Sequence, residues 1–303
     1  MIHEKLLKWY DQNKRNLPWR HRRNPYRVWI SEIMLQQTQV TTVLKYFDQF
    51  IARFPNVESL AKSQLDEILV KWSGLGYYRR AKLIHKAAKT IVETLDGHIP
   101  SNIGELMKLP GIGRSTAGAI VSLSLDKKAV ILDANVKKIL IRYHGIQSPV
   151  NNAKTEKELW KIAEKSLPEK GFRSYNQGLM DLGATICFRS KPKCEICPLE
   201  KSCKAKLEGT EKIIPKKLKT TTLKNTNLHL AVFINQKNQI LLKKQKNNEL
   251  WSGLWHLPES HSRDELLKTS QKLFSNILVR QNLHPFSYQV SNKKFFVEVI
   301  IIK

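Results

Sequence analysis

A mainly α-helical domain followed by a small α+β domain is the fold class that three observations predict for this 303-residue chain. Apolar residues recur at helical spacing through most of the sequence up to the last of four clustered cysteines, Cys203. A lysine-rich stretch then breaks the pattern; KIIPKKLKTTTLK, from Lys212 to Lys224, holds five lysines, one proline and no acid, as a linker near a polyanion would. Beyond it apolar and polar residues alternate, as strands do. The expected boundaries are 1–208 for the helical domain, 209–226 for the linker and 227–303 for the second domain.

The elements follow in order. The opening segment MIHEKLLKWYDQNKR mixes charges with apolar residues at helical spacing and lacks the apolar centre of a secretory signal. No apolar run is long enough to cross a bilayer, so a cytoplasmic, nucleoid-associated monomer without a membrane partner is expected. From Arg15 to Arg27, RNLPWRHRRNPYR carries five arginines, no acid, and the aromatics Trp19 and Tyr26. The whole chain has 52 Lys+Arg against 26 Asp+Glu, a formal net charge of +26. Such an excess favours a polyanion, because each phosphate contact releases counterions, although a generally basic proteome gives the same total. Aromatics interleaved with the arginines point more specifically to nucleic acid.

Residues 28–54 read as an amphipathic helical stretch, and 65–95 as two helical patterns broken at Gly74 and Gly76. NIGELMKL leads to the turn LPGIG, and GRSTAGAIVSLSL follows as a helix. ILDANVKKILIRYHG, TEKELWKIAEKSL and YNQGLMDLGATIC are further helices, the last ending at the first cysteine. In the second domain HLAVFINQKNQILLKKQ reads as a hairpin around NQKNQ, and FFVEVIIIK as a strand.

All four cysteines, Cys187, Cys194, Cys197 and Cys203, lie within 17 residues in the spacing C-x6-C-x2-C-x5-C. Without a secretion signal disulfides are disfavoured, and the clustering points to metal. Zinc sites usually combine two short Cys pairs, of which only one is present here. Thiolate-only ligation also suits a 4Fe–4S cluster, and the pattern leans that way. The first loop, FRSKPK, presents Arg189, Lys191 and Lys193, a candidate phosphate-contacting finger.

The turn at Gly111 and Gly113 lacks the Walker pattern and has no preceding strand, which excludes the nucleotide-loop motifs. Set between two helices it fits a hairpin whose N–H groups grip a DNA backbone, and equally a plain turn between helices. Two carboxylates stand out. Asp133 closes the apolar run ILD, and Glu32 shares a helical stripe with Leu35, Gln36 and Gln39, opposite Ile30, Ile33 and Met34. A carboxylate on that stripe, bounded by Trp29 and Leu35, is placed to have a raised pKa and act as a general acid.

Six separated stretches in this order resemble the endonuclease III superfamily of base-excision DNA glycosylases: LPWR…NPYRVWISEIMLQQTQV, GLGYYRRAKLIHKAA, LPGIGRSTAGAI, ILDANVKKIL, NQGLMDLGATIC and the cysteine loop. SEIMLQQTQV and RSTAGAI are similar to its adenine-removing branch. The resemblance implies a helix–hairpin–helix glycosylase fold: a six-helix barrel, a domain holding one 4Fe–4S cluster, and a small Nudix-like α+β C-terminal domain. It implies excision of adenine mispaired with 8-oxoguanine or guanine in double-stranded DNA. Glu32 would then protonate adenine at N7, Asp133 would stabilise the sugar cation, and Asn135 would hold their geometry. Arg15, Trp19, Arg20, Leu35 and Gln177 fall at base-pocket positions, with Gln37 and Tyr77 at the duplex beside the oxidised guanine and Gln36 among the DNA-binding positions. Gly111, Gly113 and Ser115 fall at the DNA-facing hairpin. The lyase branch carries a nucleophilic lysine at the Ser115 slot; serine cannot form an imine, so the resemblance implies a hydrolase without lyase action.

The sequence departs from the family pattern in three places. Ala134 stands where glycine is common. No acidic Nudix helix follows Gly253, which argues against a pyrophosphohydrolase. The family's Phe-Ser-His reader of oxidised guanine is matched only by Ser291 in Val290-Ser291-Asn292, and the domain is expected to be shortened, so weakened preference for 8-oxoguanine is expected. The alternatives are a glycosylase/lyase acting on oxidised pyrimidines, a non-catalytic mismatch-binding protein, and an iron–sulfur electron carrier. Ser115 opposes the first, Glu32 with Asp133 the second, and the basic loops the third. The lysine-rich linker is a candidate recruitment site for a repair or replication protein.

Overall fold

A computed structural model of the chain describes residues 2–217, 222–245, 253–274, 278–290 and 292–302. It falls into two compact units, Met1–Leu218 and Lys219–Lys303.

The first unit is helical. Helix α1 (Ile2–Asn13) buries Ile2, Leu6 and Tyr10, one residue per turn on a single face. Helix α2 (Pro25–Leu35) starts where Asn24 accepts the Arg27 N–H at 2.7 Å and Pro25 occupies the first position, a site that needs no N–H. Then come α3 (Phe47–Arg53), α4 (Val57–Lys62), α5 (Leu65–Trp72), α6 (Arg79–Thr94) and α7 (Ile103–Leu106). Helix α8 (Arg114–Ala119) runs on into a π-helical turn at Ile120–Ser124, and α9 (Ala134–His144), α10 (Ala153–Lys165) and α11 (Phe172–Thr185) follow, with a last helical turn at Lys204–Leu207. One core joins α1, α9, α10 and α11 through Leu6, Val136, Leu140, Leu159, Leu179 and Leu182. The other half packs aromatics, with the Phe50 and Trp72 rings edge to face at 5.8 Å and those of Trp19 and Phe47 at 5.5 Å.

The continuous amphipathic pattern over 28–54 is not one helix. Helix α2 ends at Leu35, and Gln37 adopts a left-handed φ of 57°. Gln39 therefore leaves the Glu32 stripe and instead precedes the helical turn Val40–Val43. The break expected at Gly74 and Gly76 is real, with φ of 97° and 69°, values glycine adopts without penalty. Ile131 and Leu132 of ILDANV lie outside α9, which begins only after Asp133.

In the second unit, β1 (Lys224–Phe233) pairs parallel with β7 (Lys293–Ile302), Leu228 facing Val297. The sheet order is β4 (Glu259–Ser260), β1, β7, then β5 (Val279–Asn282), with β6 (Phe286–Val290) also antiparallel on β7. Helix α12 (Arg263–Leu273) covers Ala231, Phe233, Ile300 and Ile302 with Leu266, while Leu228, Phe295, Val297 and Val299 form a second cluster. The expected hairpin is reduced: after the 235–239 turn a single bridge joins Ile234 and Ile240. Lys243–Lys244 (β2) instead pairs with Trp255–His256 (β3). The stretch read as a linker over 209–226 is only partly a spacer, since Ile214 is buried in the first unit and β1 already begins at Lys224. Among the described residues no helix is long and apolar enough to cross a membrane.

Candidate active site

Glu32 sits in the last turn of α2 and Asp133 immediately before α9. Glu32 is partly buried and no protein donor reaches its carboxyl among the described residues. Dehydration pushes its pKa up to about 8, the Asp133 carboxylate adds to the rise, and Arg20 acts against it. Asp133 is also raised by dehydration, but it has donors. Its Oδ1 accepts the Val136 N–H at 2.8 Å as the α9 N-cap, and Asn135 Nδ2 lies 3.5 Å from Oδ2. Lys138 holds the surroundings by donating to the Gly183 carbonyl at 2.7 Å and to Asn135 Oδ1 at 3.4 Å. Helix polarity acts in the same sense, disfavouring an anion at the C-terminal end of α2 and favouring one at the N-terminus of α9. The two carboxyls thus differ in support: Glu32 is raised to about 8, whereas the rise of Asp133 is countered by the Val136 and Asn135 N–H groups.

A second cluster surrounds Asp181 on α11, one turn after Gln177. The Asp181 side chain is fully buried and takes both Arg20 terminal nitrogens at 2.8 and 2.7 Å and Arg15 Nε at 2.7 Å. Dehydration raises the Asp181 carboxyl, but the two guanidinium groups outweigh it and hold the pKa below the ordinary carboxylate value. Arg20 is thereby fixed where its charge also reaches Glu32, and Arg15 is held on the same Asp181 carboxylate. The buried Gln177 accepts the Tyr10 hydroxyl at 2.5 Å. The Gln177 amide keeps its N–H₂ and a second Oε1 lone pair for other partners. Trp19 is buried against Phe47, and Leu35 is partly buried at the end of α2.

Arg80, on α6 with its guanidinium buried, joins the loop after α2 to the loop before α6. It donates to the carbonyls of Ile33 (2.7 Å), Met34 (2.8 Å) and Gln36 (2.6 Å) around the end of α2. It also reaches Thr38 Oγ1 (3.0 Å) and the carbonyls of Leu75 and Gly76 (both 3.1 Å). Gln37 and Tyr77, both in left-handed backbone at φ 57° and 50°, are exposed on either side of it. Gln36 bonds Thr116 Oγ1 at 3.3 Å.

At the turn before α8, Gly111 has φ 81° and a Cβ there would lie 2.8 Å from that of Leu83, so glycine is required. Gly113 is the N-cap and faces open space. Ser115 is turned inward, its Oγ accepting the Leu132 N–H at 3.1 Å.

The four cysteines line one cavity of about 30 Å³ together with Arg142. Burial pushes the Cys197 thiol up to about 12, and the neighbouring cysteines add to the rise. Among the described residues no group of three or more His, Cys, Asp or Glu is gathered for a single metal ion. Arg142, 2% exposed, donates to Cys187 Sγ at 3.1 Å and to the carbonyls of Phe188 and Arg189, both at 2.7 Å. Arg189, Lys191 and Lys193 are exposed on that loop.

Residues 30–165 match the family model of the HhH-GPD superfamily base excision DNA repair proteins. The adenine DNA glycosylase of Buchnera aphidicola subsp. Acyrthosiphon pisum (strain APS) is 43% identical over 299 residues, 98% of this chain and 85% of that protein. The chain belongs to the HhH-GPD superfamily. Among solved HhH-GPD-like folds, a thermostable thymine-DNA glycosylase matches with a TM-score of 0.63 and 33% identity, over 68% of this chain and 95% of its own. Endonuclease III in a DNA complex matches with a TM-score of 0.58 at 21% identity, over 70% of this chain and 96% of its own, a likeness of fold.

The helix–hairpin–helix architecture of the first unit is therefore that of the HhH-GPD superfamily, with a small sheet-containing C-terminal unit. Ala134 is accommodated because it opens α9 in ordinary helical backbone. Val290 sits at the β6–β7 turn, where it pairs with Lys293; Ser291 lies outside the described residues. Sequence reasoning missed Tyr10, Arg80, Asn176 and Asp181. Only Asp181 left a usable signal, as an acid one helical turn from Gln177.

Proposed function

We propose that this chain excises adenine from double-stranded DNA in which it is mispaired with 8-oxoguanine or guanine, by hydrolysis and without a lyase step. The observation that carries the proposal is the split carboxyl pair: Glu32 held protonated at neutral pH beside an Asp133 supplied with donors. The adenine DNA glycosylase name of the 43% identical relative supports the choice of base.

The chemistry follows from those states. The flipped adenine is unstacked at a cost of a few kcal/mol. The Glu32 carboxyl gives its proton to adenine N7, and the C1′–N9 bond breaks with its electrons leaving on the base. Asp133 faces the positive sugar. Water adds to C1′, its proton passes to the Glu32 carboxylate, and the products are free adenine and an abasic sugar. Gln177, Arg15 and Arg20 would present donors to the base edge; Gln37 and Tyr77 would enter the duplex beside the opposite base. Gly111 and Gly113, with the exposed Arg189, Lys191 and Lys193, would contact phosphates. Ser115 has no amine, so no imine to the sugar forms there.

The four thiols around one cavity fit a 4Fe–4S cluster as an all-thiolate donor set. Bound there, the cluster supplies a cross-link among Cys187, Cys194, Cys197 and Cys203, and this chain's Arg142 fixes the basic loop beside it.

Single-turnover incubation with A:8-oxoguanine, A:G and thymine-glycol duplexes, with and without alkali, tests the proposal. Adenine release that yields strand breaks only after alkali is expected, with modest preference for 8-oxoguanine given Val290-Ser291-Asn292. Borohydride-trapped strand cleavage without alkali, or action on thymine glycol alone, refutes it.

A further inference from the structure

Asp133 is delivered by a segment with an unusual form of support. Ala129, Val130, Ile131 and Leu132 are all buried, yet they belong to no helix and no sheet. A buried backbone of this kind must find partners for its N–H and C=O groups, and a strand would find them in a neighbouring ladder. Here two polar side chains stand in for the ladder. Asn176, on α11 and 1% exposed, donates to the Ala129 carbonyl at 2.9 Å and to Ser122 Oγ at 2.7 Å, while its Oδ1 accepts the Ile131 N–H at 3.4 Å. Ser115, on α8, takes the Leu132 N–H at 3.1 Å. The next residue is Asp133 itself, closed onto the Val136 N–H.

The fit is tight on the third side as well. Gly118 of α8 lies so near the segment that a Cβ there would be 2.0 Å from the Val130 carbonyl oxygen. The segment is therefore clamped between α8 and α11, with its position along the chain direction fixed by the amide of Asn176 and the hydroxyl of Ser115.

We propose that Ser115 and Asn176 are positioning residues for the reaction, acting through this strap to set where the Asp133 carboxylate stands. This rests on Asp133 as the group that stabilises the sugar cation. Ser115 then serves the chemistry through Leu132, not through contact with DNA. Removing its oxygen leaves the Leu132 N–H buried without a partner, and the strap relaxes towards other acceptors, carrying Asp133 with it.

The test uses Ser115→Ala, Ser115→Thr, Asn176→Asp and Asp133→Asn in the full chain, with single-turnover adenine release as the first readout. Affinity for the same duplex carrying 2′-fluoro-adenosine, which binds without cleavage, is the second. A displacement of about 1 Å costs about 10²-fold in rate, so Ser115→Ala should slow release by about that factor. Affinity should stay within about twofold, and Ser115→Thr, which keeps the hydroxyl, should recover most of the rate. Asn176→Asp, which sets a carboxylate against the Ala129 carbonyl, should show the same split of rate from affinity. The double variant Ser115→Ala/Asp133→Asn should be no slower than Asp133→Asn alone, because both act on one group. Wild-type rates in Ser115→Ala, additive losses in the double variant, or affinity falling in step with rate would each overturn the strap. Normal turnover by Asp133→Asn would instead overturn the reading of Asp133 on which it rests.

Discussion

The state of Glu32 gives the most direct prediction, because it fixes both the direction and the position of a pH effect. The rise from an ordinary 4.5 to about 8 disfavours ionisation by about 4–5 kcal/mol, less whatever water reaching the pocket screens. At pH 7 about nine-tenths of molecules then carry the acid, against about 0.3% for an unperturbed carboxyl, an advantage of about 300-fold in competent enzyme. Single-turnover adenine release measured from about pH 5.5 to 9.5 should hold level below about 8 and fall about tenfold per pH unit above it. Stability runs the same way. The folded value lies above the unfolded one, so stability present below the unfolded value is lost as pH rises through about 8. Glu32→Gln should remove that loss while abolishing base release, so urea melts at pH 8 should show the variant to be the more stable protein. In Asp133→Asn the like charge is gone, and a carbon-13 titration of the Glu32 carboxyl should move to lower pH while staying above 4.5, since dehydration remains. A rate level to pH 9, or a Glu32→Gln protein with normal turnover, would remove Glu32 from the acid role.

Asp181→Asn leaves Arg15 and Arg20 facing an uncharged amide in a buried site and should destabilise the first unit by about 3–5 kcal/mol in chemical denaturation, with loss of adenine release. Because the Asp181 carboxyl is held below its ordinary value, its contribution is present above the unfolded pKa and lost as pH falls through the folded one; the variant should lack that acid limb. Arg80→Lys supplies three donors where six acceptors are now served, so a loss of about 3 kcal/mol at about 1 kcal/mol per lost bond is expected in urea melts. Unchanged stability in either variant would contradict the assigned contacts. Replacing Arg189, Lys191 and Lys193 together by alanine should reduce the salt slope of duplex binding by about 2.7, at about 0.9 per phosphate contact, and an unchanged slope would take that loop off the DNA.

What could be read from the sequence was what depends on local spacing. The cysteine spacing and the glycine break at 74–76 are properties of short segments. The helix carrying Glu32 was also legible, but its end was not. The apolar pattern runs on past Leu35, and the helix stops there because Arg80, far along the chain, takes its last carbonyls. The strap before Asp133 was invisible for a related reason: AVIL is a short apolar run that fits helix or strand alike, and its partners are polar side chains of other helices. The reduced hairpin of the second unit has the same origin, since β1 takes β7 as its neighbour in place of the following segment.

These remote contacts bear on the site's central asymmetry. Glu32 and Asp133 are both dehydrated carboxyls near each other, and alone they would share a proton without assigned roles. Their roles are separated by the ends of two helices. Asp133 stands at the start of α9, where a free N–H and the helix dipole favour an anion. Glu32 stands in the last turn of α2, where dehydration and the helix dipole both oppose an anion. Were the helix to continue to Gln39, as the sequence pattern allows, Glu32 would lie mid-helix and lose the dipole's opposition. The early end of α2 therefore adds helix polarity to the dehydration that already raises Glu32, and it leaves Gln37 turned outward on left-handed backbone. On the proposed reading, the same break in one helix bears on both the Glu32 acid and the contact of Gln37 beside the opposite base.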